Sequence, residues 1–140
     1  MRRLYGVVFL LGASLVLLIG PPAQAKGRDS TPPTFAGLES AVTCIPGPSG
    51  GTTASYHLRW DPAADDVSRA KKIEYDIYRA GKTGGEDFSA PTYTTRAGAT
   101  SFTTPPLPAD APVYFVVRAR DQAGNRDSNT VERQGENICV

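Results

Sequence analysis

Val113-Tyr-Phe-Val-Val-Arg-Ala-Arg-Asp-Gln-Ala-Gly-Asn-Arg-Asp-Ser-Asn-Thr-Val-Glu132 is the stretch that decides the fold. Its first half alternates in the period-two manner of a half-buried strand, Gly124-Asn125 supplies a turn, and the end opens a further strand. Together these read as the last hairpin of a small β-sandwich. Upstream, Leu58-Arg-Trp60 and Tyr75-Asp-Ile-Tyr-Arg79 repeat the same alternation. Short β-like runs separated by Gly, Pro, Asp and Ser clusters continue along the chain, and no stretch carries a helical period.

The spacing predicts a first strand within residues 35–43 and a second within 55–60, where Tyr56, Leu58 and Trp60 point inward and His57 and Arg59 outward. A third runs from about 72 to 79, with Ile73, Tyr75 and Ile77 on one face and Glu74, Asp76 and Tyr78 on the other. Short strands follow at 93–96 and 100–104. Pro105-Pro-Leu-Pro108 then crosses between sheets, and strands at 113–120 and 129–133 complete the set.

This pattern over residues 31–133 resembles a bacterial-type fibronectin type III domain. The resemblance implies an all-β, seven-strand immunoglobulin-like β-sandwich and a binding or spacing role rather than catalysis. It also sets the phase of the strand at 113–120. Val113, Phe115, Val117 and Ala119 are expected inside, and Tyr114, Val116, Arg118 and Arg120 outside. One feature departs from the family: its tyrosine corner falls six residues after a Leu, and from Leu107 that position is Val113.

The amino terminus begins Met-Arg-Arg, followed by an apolar run over 4–20, Pro21-Pro22 and Ala23-Gln-Ala25. These are the parts of a secretory signal peptide, with cleavage expected after Ala25. The run is shorter than the roughly 20 residues a bilayer span requires, so no stable membrane span is expected after cleavage, the alternative being an anchor retained uncleaved. Residues 26–33 read as an exposed lead-in and 34–140 as the domain with its C-terminal tail. The expected location is secreted, periplasmic or at the cell envelope.

Removing Arg2 and Arg3 from the 15 basic side chains leaves 13 against 14 acidic ones, a net charge of −1. Basic residues are scattered among acids, which argues against a nucleic-acid partner. Cys44 and Cys139 are an even pair in an exported chain, and the implied topology brings both to one pole, so a disulfide is expected. Zinc is disfavoured by a single His57 and two distant cysteines.

The opposite pole of that topology gathers two acidic loops, giving Asp65, Asp66, Asp121, Asn125 and Asp127 as candidate oxygen ligands for calcium. The competing reading has these residues capping turns, with Arg69 and Arg126 neutralising the remainder. No other cofactor is expected. Gly81-Lys-Thr-Gly-Gly85 lacks the glycine spacing of a phosphate loop, since position 76 is Asp. The turn reads Asn125-Arg126-Asp127 and offers no Arg-Gly-Asp. His57 has no serine or carboxylate at a motif spacing, so no catalytic residue is assigned. On the outer sheet face Tyr78, Tyr114 and Tyr93 are candidates for an aromatic platform, with Tyr78 beside Tyr114 and the acids Glu74 and Asp76 facing Arg118 and Arg120. The expected function is an exported module binding a protein or a glycan. A passive spacer is the alternative, and a small hydrolase ranks last.

Overall fold

The computed structural model describes residues 28–44 and 52–138, and within them the chain is all-β apart from one 3-10 turn at Ala70–Lys72. The strands are β1 (Ser40–Thr43), β2 (Thr53–Ala54), β3 (His57–Arg59), β4 (Glu74–Ala80), β5 (Tyr93–Thr94), β6 (Ser101–Thr103), β7 (Leu107–Pro108), β8 (Tyr114–Arg120), β9 (Glu132–Gln134) and β10 (Glu136–Asn137). One sheet has the order β10-β1-β3-β6 and the other β5-β4-β8-β9, with β2 and β7 pairing as a separate ribbon. Neighbours are antiparallel except β1 and β10, which run parallel.

Both sheets contribute to one core, the arrangement of a β-sandwich. Leu58 and Trp60 from the β3 side meet Ile73, Tyr75 and Ile77 from the β4 side and Phe115, Val117 and Ala119 of β8, all buried. The Tyr75 ring lies between Phe35 and Trp60, with both centroids 5.2 Å away. Tyr56 meets Phe115 at 5.7 Å. Such aromatic pairs contribute about 0.5–1.5 kcal/mol each beyond their buried area. Their polar atoms are satisfied: Trp60 Nε1 donates to Ala99 O at 3.0 Å, and Tyr75 Oη accepts from Ala63 N at 2.9 Å. The Tyr75 hydroxyl thus pins the β3–β4 connection, and burial pushes its ionisation above the usual tyrosine value.

Strand boundaries differ from the expected ones for local reasons. The second run breaks into β2 and β3 around Tyr56, whose N–H donates to Thr104 Oγ1 while its carbonyl accepts from Thr104 N. Leu107–Pro108, expected as a crossing, pairs with β2 as β7. The strand expected at 129–133 occupies Glu132–Gln134 because the Asn129 side chain takes the place of a main-chain partner. It donates to Val117 O at 3.0 Å and accepts from Val131 N at 3.0 Å. At Gly135 the chain leaves the β8 side and joins β1, and a Cβ there would overlap the Tyr56 ring.

A larger correction concerns the outer face of β4 and β8. Their register pairs Glu74 with Arg120, Asp76 with Arg118 and Tyr78 with Val116, so Tyr114 lies opposite Ala80 rather than Tyr78. Asp76, Tyr78 and Val116 were expected to face solvent, yet they are 0 %, 1 % and 1 % exposed. Phe88, from the connection between β4 and β5, packs edge-on against Tyr78 with centroids 5.1 Å apart. Arg118 lies 3.6 Å over the Phe88 ring and donates to Asn129 O, and Arg126 reaches Asp76 from the connection after β8. No helix among the described residues is long and apolar enough to cross a membrane.

Candidate binding pole

Three segments converge at one end of the sandwich: the lead-in, the β3–β4 connection and the β8–β9 connection. Short polar side chains in each compete for nearby backbone N–H groups, which sets their shape. Asp29 Oδ1 accepts from Thr31 N at 3.0 Å, and Asp65 Oδ2 accepts from Ser68 N at 2.6 Å and Val67 N at 3.2 Å. Asp121 receives both Asn125 N at 2.8 Å and Asn125 Nδ2 at 2.7 Å, closing the Gly124 turn. Asp127 Oδ2 accepts from Ala119 N at 3.1 Å, and its Oδ1 from Asn129.

The segments are then stitched to one another. Thr34 bridges Ala64 by two backbone bonds of 2.7 and 3.0 Å. Asn125 Nδ2 donates to Asp29 O at 3.1 Å, and Arg28 donates to Ala123 O at 3.2 Å. Gln122 N donates to Ser68 Oγ at 3.3 Å. The lead-in residues 28–33 are therefore bonded to the pole.

Of the five candidate ligands only Asp65 and Asp66 cluster, and they do so with Asp29: one oxygen from each of these three lies within 4.8 Å of the others. Asp121, Asn125 and Asp127 are committed to the turns, the capping role set against calcium in the sequence. Asp29 went unrecognised because nothing in its local sequence distinguishes a capping Asp from one brought against a loop some 36 positions away. Arg126, expected to neutralise this pole, instead binds Asp76 at 2.7 Å. Among the described residues no ion pair involves Asp29, Asp65 or Asp66. Asp29 Oδ2 and Asp65 Oδ1 are buried without a hydrogen-bond partner. Beside them Val67 is 56 % exposed, one of two large exposed hydrophobic residues among those described.

The other candidates separate. Tyr78 is covered by Phe88, Tyr93 packs on Phe102 at 5.2 Å against the core, and Tyr114 is half-buried, so no open aromatic platform forms from the three. His57 is exposed on β3, with its Nδ1 3.3 Å from Thr103 Oγ1. Cys139 and the leader with its cleavage point at Ala25 lie outside the described residues. Cys44 is not a free thiol. Comparisons with family models, with curated proteins and with solved structures found no match for this chain.

Proposed function

We propose that this chain is an exported, fibronectin type III-like module that binds a protein or glycan partner through the pole built by its lead-in and its β3–β4 and β8–β9 connections. The observation that carries this reading is the contrast between two surfaces. The outer face of β4 and β8 is closed by Phe88 and Arg118, whereas the pole presents Asp66 and Val67 to solvent on bonded loops. A preordered apolar side chain ringed by polar groups is the kind of surface on which partner recognition concentrates. Two four-stranded sheets sharing one core support the β-sandwich half of the proposal. Pull-down from envelope extracts with the mature domain tests it. A partner recovered by the native chain and lost by Val67→Asp supports the pole. Equal recovery by both would move the binding surface away from the pole, and no partner at all favours the passive spacer.

One specific observation favours a second role for the same pole, as a calcium-braced joint. Calcium takes several oxygen ligands, and Asp29, Asp65 and Asp66 bring three carboxylates together, with two of their oxygens lacking any donor. A cation that binds only the folded state stabilises it by mass action. Millimolar calcium is expected to raise the melting temperature of the native domain and to leave that of Asp66→Asn nearly unchanged. An unchanged native melting curve would remove the metal role and leave Asp29 and Asp65 as turn caps.

A further inference from the structure

The outermost strands of the two four-stranded sheets are β5 and β9 on one and β6 and β10 on the other. An edge strand presents unpaired N–H and C=O groups, and natural edges are commonly blunted by shortness, charge or proline. β5 and β10 have two residues each, Pro91 stands just before β5, and β9 carries Glu132 and Arg133. β6, Ser101-Phe-Thr103, has three residues and neither a charge nor a proline.

Its register shows which main-chain groups are free. β6 runs antiparallel to β3, with Phe102 opposite Leu58. Trp60 N donates to Thr100 O at 3.1 Å and Thr104 N to Tyr56 O at 3.0 Å, so residues 100, 102 and 104 turn their backbone groups towards β3. Ser101 and Thr103 turn theirs away from it, and among the described residues neither has a backbone partner on that side. Their side chains are exposed on the outer face. Phe102 faces the other way, packs on Tyr93 at 5.2 Å and lines a groove of about 560 Å³ with Thr94, Arg96 and Gly98.

The charge around this edge has one sign. Residues 55–60 and 91–104 contain Arg59, Arg96 and His57 but no Asp or Glu. Arg59 and Arg96 are exposed and form no ion pair among the described residues. Arg59 lies opposite Ser101, and His57 opposite Thr103. A strand added beyond β6 would lie two strand spacings from β3, about 9.6 Å. Only the short Ser101 and Thr103 side chains would stand between its outer residues and Arg59 and His57.

We propose that β6 takes up an extended acidic peptide segment of a partner protein as a fifth strand of its sheet. In strand addition the main-chain bonds supply affinity and alternate side chains supply specificity. Antiparallel pairing gives Ser101 and Thr103 their missing backbone partners. The peptide residues opposite them are acidic and meet Arg59 and His57, and the residue between is apolar and faces Phe102 and the groove beside Arg96. No residue of this edge belongs to the pole, and its ligand is a second one.

An acetylated and amidated Thr-Glu-Val-Glu-Thr peptide, titrated into the isotopically labelled exported chain and followed by amide NMR, tests this. Exchange of the Ser101 and Thr103 amide protons is expected to slow about tenfold when free peptide is about nine times its Kd, by mass action. Methylating both Glu amide nitrogens removes the donors aimed at β6 and is expected to weaken binding about tenfold or more. Replacing both Glu by Lys is expected to weaken it about fivefold, and Arg59→Glu in the exported chain to weaken binding of the acidic peptide about threefold. Unslowed exchange at Ser101 and Thr103 would overturn the proposal. So would a Lys peptide or an Arg59→Glu chain that binds as the originals do. A methylated peptide that binds undiminished and is displaced by a sulfated polysaccharide would overturn it too, leaving the basic flank to an anionic glycan.

Discussion

Asp76 shows how much a single side chain can hold in this protein. It is fully buried on a sheet face that alternation alone assigns to solvent, and it accepts from Thr94 Oγ1 at 2.8 Å, Arg120 Nε at 3.1 Å and Arg126 Nε at 2.8 Å. It thereby ties β4 to β5, β8 and the connection after β8. Removing one partner of a buried ionic group leaves the others uncompensated, which costs about 3–5 kcal/mol in dry sites. Here Arg120 and Arg126 keep 28 % and 34 % of their side chains exposed and recover some hydration. Asp76→Ala is expected to destabilise the domain by about 2–3 kcal/mol in urea unfolding. A change below about 0.5 kcal/mol, typical of an exposed pair, would show that the network only decorates the surface.

At the scale of elements, period-two alternation located β3, β4 and β8 and the inward face of β3 and β4, because burial on one side leaves a direct trace in the side-chain order. It could not show what lies over the other side. The aromatic platform expected from Tyr78 failed because Phe88 belongs to a connection with no periodicity of its own, and contacts made by irregular segments leave no repeat to read. The candidate pole was half legible for the same reason. Asp65 and Asp66 stood out as a pair, whereas Asp29 is held near them by its own carbonyl, which accepts from Asn125, and by the bonds that Arg28 and Thr34 make with Ala123 and Ala64. The end of the chain shows the converse, a residue whose identity follows from geometry alone. Gly135 marks the change of sheet between β9 and β10, where the Tyr56 ring and Val113 leave no room for a Cβ. Gly135→Ala is expected to cost about 1–3 kcal/mol by overpacking, measurable as a lower urea midpoint with an unchanged slope. An unaltered midpoint would mean that the Tyr56 ring gives way freely.

For the whole molecule, the parallel pairing of β1 with β10 closes the chain on itself. Thr43 lies opposite Asn137, and Ile138 N donates to Thr43 O at 3.0 Å, so the segments leading to the two cysteine positions run side by side as far as Ile138. This supports the proposed bond between Cys44 and Cys139. A loop of that length stabilises by up to about 4–5 kcal/mol in the chain-entropy account. Non-reducing mass spectrometry of the exported chain is expected to find the mass of one disulfide, and reduction is expected to lower the melting temperature. Two free thiols after export would remove this closure from the account.

The claim that the pole is the working surface is tested most directly by hydrogen exchange on the mature domain, alone and with the partner recovered by pull-down. Added protection is expected in residues 28–35, 61–69 and 121–127, which meet at that pole, with the free edges β5 and β6 unchanged. Protection confined to β5, β6 or residues 81–92, with the pole exchanging as in the unbound domain, would contradict it.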